Sequence, residues 1–316
     1  MAEKYLFLTV NVLIVKLGAT GDVVRTTPLL RRLNAHITWV TAAKNAVLLS
    51  GLNENLRCFS WEQRDSARDR KYDLAINLED ALETGTFLAT MDFSQLFGAY
   101  LGSGGALRYT EDSRRWFDLS LVSVYGKQQA DCLKLLNRRT YQELIFDGLG
   151  FAFGGEPYVL PEPVETFLSG DVAIAPEADA VWTMKNWAYY EQLERKLKNL
   201  DLAVNRLRFR SSLLDCLADV RDQRLLVGGD SLPMHLALGT GTRCITLFTC
   251  TSPWEIHGYR LQQKLVSPLF AESFYKRHLD PRATAAIPFE EVWELMIEEV
   301  RAPAAGDIPK PVLSGQ

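Results

Sequence analysis

The chain has 316 residues, 47% of them hydrophobic and 23% charged, with a formal net charge of −4. That length exceeds one ordinary core and suits two domains, and the acidic balance excludes a global basic field for nucleic acid. The five cysteines (58, 132, 216, 244 and 250) include no C-x-x-C pair, so neither a zinc site nor a disulfide framework is indicated and a reducing cytoplasm fits.

The opening run KYLFLTVNVLIV has the apolarity of a secretion signal. It lacks a small-residue cleavage site and continues into Lys16 and a glycine turn that belong to a fold. NVLIVKLG alone completes a first strand, which leaves the residues before about Asn11 as an extension or a misplaced start. No apolar run reaches the ~18–20 residues that span a bilayer. A helix from about Asp22 to Leu33 follows, then HITWVTA as a strand, a helical stretch near Asn45–Leu52, and strand candidates LRCFSW and YDLAINL. Such alternation predicts an α/β fold with parallel sheets covered on both faces. The glycine-rich LGSGGALRYTEDSRRW reads as a long functional or mobile loop, and a long helix from about Gln129 to Leu149 closes this half.

GGEPYVLPEPVE, with three prolines, is the natural linker. Alternation restarts with VAIAPEA, helices near Tyr189–Leu200 and Leu213–Val220, RLLVGGD, a helix from Pro233, RCITLFTC, KLVSP and the helix PFEEVWELMIEEV. The expected domains are 1–160 and 161–302, both Rossmann-like, with 303–316 a flexible tail rich in Pro, Ala and Gly. Ligands in such sheets lie at the carboxyl ends of the strands.

The turn VKLGATGD raises the question of a dinucleotide fingerprint. Val24 stands where the last glycine should be, and Asp22 would repel a pyrophosphate, so an NAD(P)-dependent reading is disfavoured. By position alone Asp22 is a first-turn carboxylate. However, LIVKLGATGDVVRTTPLLRRL resembles the opening signature of glycosyltransferase family 9, the bacterial ADP-heptose:lipopolysaccharide heptosyltransferases. GGDSLPMHLALGTGTRCITLFTCTSPWEIHGY resembles its C-terminal signature, and VAIAPEADAVWTMKNWAYYEQLERKL the segment that opens its second domain.

The resemblance implies a GT-B fold, two Rossmann-like domains whose parallel sheets face each other across a cleft, and inverting transfer from a nucleoside-diphosphate sugar to a glycan or lipid-linked acceptor. Asp22 would be the general base, with Gly18, Thr20 and Gly21 forming the acceptor loop. Lys185, Asp230, Ser231, Leu232, Met234 and His235 would bind the donor, with the helix N-terminus and Lys185 meeting the diphosphate. No cofactor and no metal site is implied: the chain has no D-x-D motif. From the residues alone, Lys185 is equally a solvated lysine and His235 a helix histidine packed on the sheet.

Two departures from the family pattern favour an alternative, a catalytically weakened GT-B protein acting as a binding partner. Leu232 replaces a glycine where backbone meets phosphate, and only DLAVNRLRFR separates two helices where the family has a strand and an acidic loop for the ribose. Glu79, Asp80 and Glu83 read as solvated carboxylates or as recognition of a neutral or amine-bearing acceptor. Arg108, Arg114 and Arg115 leave phosphate contact open, and RRWF leaves open a peripheral contact with the inner face of the cytoplasmic membrane.

Overall fold

A computed structural model describes residues 10–120, 125–178 and 180–302. The expected extension before Asn11, apart from Val10, and the expected tail lie outside the described residues. The chain divides into two units, one running to Glu162 and including Ser252–Tyr259, the other formed by Pro163–Thr251 and the chain from Arg260.

In the first unit the strands are β1 (Val10–Val15), β2 (Ala35–Thr41), β3 (Leu56–Ser60), β4 (Tyr72–Asn77), β5 (Phe93–Leu101) and β6 (Leu107–Tyr109). Its helices are α1 (Thr20–Thr26), α2 (Leu29–Arg32), α3 (Leu82–Leu88), α4 (Glu111–Ser120), α5 (Lys127–Leu136) and α6 (Tyr141–Gly148). The sheet order is β3-β2-β1-β4-β5-β6, parallel except for β6. Val12, Leu13, Ile14 and Val15 are almost wholly buried, as a strand covered on both faces requires.

Four expectations change here. The helix expected over Asp22–Leu33 breaks at Thr27–Pro28: Pro28 has no N–H to continue the ladder, and the Thr27 N–H and hydroxyl take the Val24 carbonyl instead. The glycine-rich segment is a β5–β6 hairpin followed by α4, its turn closed by Gly102 N–H to the Ala106 carbonyl at 2.9 Å. The long helix near Gln129–Leu149 is two helices, because Thr140 and Glu143 form a reciprocal capping box that starts α6 afresh. The stretch near Asn45 is a 3₁₀ helix over Ala43–Leu48.

The second unit has β7 (Gly170–Ala175), α7 (Tyr190–Lys198), β8 (Val204–Arg206), α8 (Leu213–Arg221), β9 (Gln223–Gly229) and α9 (Leu232–Thr240). These are followed by β10 (Arg243–Phe248), β11 (Gln262–Val266), α10 (Phe270–Ser273), α11 (Pro281–Thr284) and α12 (Phe289–Arg301). All five strands are parallel, in the order β11-β10-β9-β7-β8. The segment DLAVNRLRFR therefore does hold a strand, three residues long. Both orders reverse direction at one point, between β1 and β4 in the first sheet and between β7 and β9 in the second. Those switch points open crevices at the strands' carboxyl ends.

Candidate active site

At the first switch point the loop after β1 is fixed by two side chains. Glu79, just past β4, accepts through Oε1 from the Leu17 N–H (2.7 Å), the Gly18 N–H (3.3 Å) and Lys16 Nζ (2.7 Å). Asn45 donates to the Leu17 carbonyl and accepts from the Thr20 hydroxyl, both at 2.7 Å. A Cβ placed on Gly18 would meet nothing within 4 Å, so no internal packing demands glycine there and space lies open beside the loop. Gly21 is the second residue of α1, and Asp22 follows in its first turn.

The Asp22 carboxylate, about a third exposed, lies 2.9 Å from Arg25 Nη2 and 4.0 Å from Lys16 Nζ. Burial opposes a charge on Lys16, but Asp22, Tyr141 and Glu79 outweigh it and raise its pKa. Lys16 is thus an ammonium held between two carboxylates. Glu79, expected as a solvated loop carboxylate, is instead the strut of the loop. Asp80 accepts from the Tyr109 hydroxyl at 2.5 Å, and Glu83 is exposed on α3. Trp116 and Phe117, the aromatics of RRWF, are buried in the core of the unit, which removes them from surface contact.

At the second switch point α9 begins at Leu232 with Ser231 as its N-cap, so Pro233 stands second in the helix, one position later than expected. Lys185 ends a 3₁₀ segment packed on the end of β9. A Cβ on Gly229 would lie 3.1 Å from the Lys185 carbonyl oxygen, so glycine permits that approach. Lys185 Nζ donates to the Asp230 carbonyl at 2.5 Å and lies 3.3 Å from Asp230 Oδ2. It is therefore not a solvated surface lysine. His235 is buried with Nε2 4.0 Å from Asp230 Oδ1. Met234 is buried, its sulfur meeting Gln262 Nε2 at 3.0 Å, which turns it toward the sheet. Leu232 and Pro233 line an apolar hollow with Ala175, Leu207, Phe209 and Leu236; Glu177 and Arg208 also line it.

Residues 187–278 match glycosyltransferase family 9 (heptosyltransferase). The chain carries a glycosyltransferase family 9 domain. No curated protein matches this chain. Among solved structures, the glycosyl transferase family 9 from Veillonella parvula DSM 2008 superposes with a TM-score of 0.67 at 16% identity, over 94% of this chain and 99% of that one. E. coli heptosyltransferase WaaC with ADP gives 0.57 at 14% identity, over 92% and 99%. The iron-containing dodecameric glycosyltransferase TibC from enterotoxigenic E. coli H10407 gives 0.56 at 11% identity, over 93% and 79%. These likenesses establish the GT-B-type fold.

Among the described residues no group of three or more His, Cys, Asp or Glu side chains is placed to hold a metal ion. Burial pushes the Cys58 thiol up to about 11 and the Cys244 thiol up to about 12, far from a reactive thiolate. Among the described residues no helix is long and apolar enough to cross a membrane.

The structure thus gathers Gly18, Thr20, Gly21 and Asp22 at one switch point, and Lys185, Asp230, Ser231, Leu232 and His235 at the other. Sequence reasoning missed Arg25, Asn45, Tyr141 and Glu255 around the first. Arg25 carried a readable signal, since an arginine three residues after an aspartate on a helix faces it. The other three reach the site only through tertiary structure.

Proposed function

We propose that this chain is an inverting, metal-independent transferase. It moves a heptose or similar sugar from an ADP-heptose-like donor to a lipopolysaccharide-type or other glycan acceptor, in the cytoplasm or at the inner face of its membrane. The observation that carries the reading is Asp22, partly exposed at the switch point in the first turn of α1, just after a loop bolted by Glu79 and Asn45. Asp22 takes the proton of an acceptor hydroxyl, the freed oxygen pair attacks the anomeric carbon, and the bond to the diphosphate breaks on the opposite face. The departing diphosphate carries the electron pair, and Lys185 with the N-terminal end of α9 supplies the compensating charge. Asp230 holds Lys185 until that anion arrives.

Lys16 and Arg25 beside Asp22 and Glu79 make a charge-balanced surround, which suits a neutral sugar hydroxyl at the reacting position. The alternative, a weakened binding protein, is favoured by Leu232 and the three-residue β8.

ADP release from ADP-heptose, with lipopolysaccharide inner core as acceptor and EDTA present, tests the reading. Transfer is expected to survive chelation, and Asp22→Asn is expected to lower turnover by about 10²–10⁴-fold while the protein stays folded. Near-wild-type turnover in that variant removes Asp22 from its role. Loss of transfer in EDTA, restored by magnesium or manganese, removes metal independence. An ADP-binding protein that transfers nothing supports the alternative.

A further inference from the structure

Between β10 and β11 the chain leaves the second unit, and Ser252–Tyr259 belongs to the first. This segment is docked along its length. Arg138 stacks its guanidinium 3.7 Å from the Trp254 ring centroid, the Tyr141 N–H donates to the Glu255 carbonyl at 3.0 Å, His257 meets the Phe153 ring edge-on, and the Tyr259 hydroxyl donates to the Glu156 carbonyl at 3.1 Å. Such fixation places one side chain, that of Glu255, beside the elements that carry the candidate base.

Glu255 is 13% exposed and lies 3.9 Å from both Arg25 Nη1 and Lys134 Nζ. Arg25 in turn reaches Asp22 at 2.9 Å through Nη2, with its guanidinium 4.0 Å over the Tyr141 ring. Lys134, Glu255, Arg25, Asp22, Lys16 and Glu79 form a row of alternating charge across α5, the inserted segment, α1 and the ends of β1 and β4. An arginine one turn from an aspartate on a seven-residue helix makes only a weak pair by itself. Here the guanidinium lies over the Tyr141 ring, with Nη1 on the side of Glu255 and Nη2 at Asp22 Oδ1. The other oxygen, Oδ2, is the one nearer Lys16.

We propose that Glu255 is a positioning residue for the transfer reaction: by holding Arg25 it sets the orientation of the Asp22 carboxylate. The proposal rests on Asp22 being the base. It makes the first unit's chemistry dependent on eight residues that follow β10 in sequence.

The test uses the full-length, ligand-free protein. Side-chain ¹⁵N spectra follow the Arg25 guanidinium, assigned with Arg25→Lys, in wild type, Glu255→Gln, Glu255→Asp and Asp22→Asn. A held guanidinium gives a resolved, slowly exchanging signal. Glu255→Gln is expected to merge it with the solvent-exposed arginines, and Glu255→Asp, one methylene shorter, to broaden it. In the ADP-release assay Glu255→Gln is expected to lower kcat by about 3–10-fold with KM for ADP-heptose within twofold, as a misoriented reacting group does. Should Glu255→Gln fail to fold, Glu255→Asp carries both measurements.

An Arg25 signal unchanged in the Glu255 variants overturns the proposal, and so does a kcat unchanged when the signal is lost. Asp22→Asn separates the two readings. Wild-type turnover in Asp22→Asn sinks the base assignment, and this proposal with it. An inactive Asp22→Asn beside fully active Glu255 variants sinks only the role of Glu255.

Discussion

Replacing Glu79 by alanine removes the acceptor for three donors at once, the N–H groups of Leu17 and Gly18 and the ammonium of Lys16. A hydrogen bond to a charged group contributes about 1.5–3 kcal/mol and orphaning one partner of a buried ion pair costs about 3–5 kcal/mol. These figures overlap rather than add, since Lys16 is only 5% exposed yet keeps Asp22 at 4.0 Å. A loss of about 2–4 kcal/mol follows, equivalent to a fall of roughly 5–15 °C in the melting temperature of a unit this size. Differential scanning calorimetry of wild type, Glu79→Ala, Glu79→Gln, Lys16→Met and the Lys16→Met/Glu79→Gln double variant measures it. The double variant is expected to be more stable than the sum of its single losses, because no charge is left buried alone.

The pH dependence has a definite sign. The pKa of Lys16 is raised in the folded protein, so its stabilising contribution is complete below the ordinary lysine value and is lost only as pH rises through the higher, folded one. The Glu79→Ala deficit should therefore be flat across neutral pH. A deficit below about 1 kcal/mol, or additivity of the two single changes, would refute the view of Glu79 as the strut of the loop.

Lys185→Ala is expected to weaken ADP binding about tenfold by calorimetry, the worth of roughly 1.4 kcal/mol; equal affinities would return Lys185 to a purely structural pairing with Asp230. Leu232→Gly is expected to tighten ADP binding, by taking away the side chain that stands where the backbone meets phosphate, and to cost about 1 kcal/mol of stability. Weaker binding would show that Leu232 packs against the nucleotide as a wall of the apolar hollow. Lys264 on β11 is pushed down to about 8 by burial, against the pull of Cys244 and Asp230. Lys264→Met is therefore expected to stabilise the fold by about 1–2 kcal/mol below pH 8, and the gain should fade by about pH 10.5, where the unfolded lysine also loses its proton. A gain independent of pH in denaturant titrations would contradict that origin.

The strands flanking both switch points were legible because each is a short apolar run ending in a glycine or polar turn. NVLIVKLG and RLLVGGD already place Asp22 in the turn and helix start after one buried strand and Asp230 immediately after another. The hairpin around Gly102 was not legible, since β5 carries the mixed pattern FSQLFGAYL and reads as neither a clean alternation nor a buried run. The break between α5 and α6 could have been read from the Thr140–Glu143 spacing, a capping signature inside an otherwise helical stretch. The return of Ser252–Tyr259 to the first unit was beyond any local pattern. It is fixed by Trp254, Glu255, His257 and Tyr259 finding partners about a hundred residues earlier in the chain.

The two switch points solve opposite electrostatic problems with similar parts. On the function proposed above, the donor crevice must meet an anion whose charge grows during the reaction, and its lysine is held by Asp230, through the backbone carbonyl and the carboxylate, which an incoming diphosphate can outcompete. On the same reading, the base crevice must keep one carboxylate ionised and aimed without handing its negative charge to a competing cation. Its carboxylate accordingly lies between Lys16 and Arg25, each of which is itself held by a second acid, Glu79 or Glu255. A lone arginine beside Asp22 could swing away or bind the acceptor; one tied to Glu255 and stacked on Tyr141 is restrained from both. On the function proposed above, Glu79 and Glu255 are thus part of how an aspartate becomes a directed base, and the balance of Lys16 and Arg25 against Asp22 and Glu79 is why an uncharged hydroxyl is the acceptor group that suits this crevice.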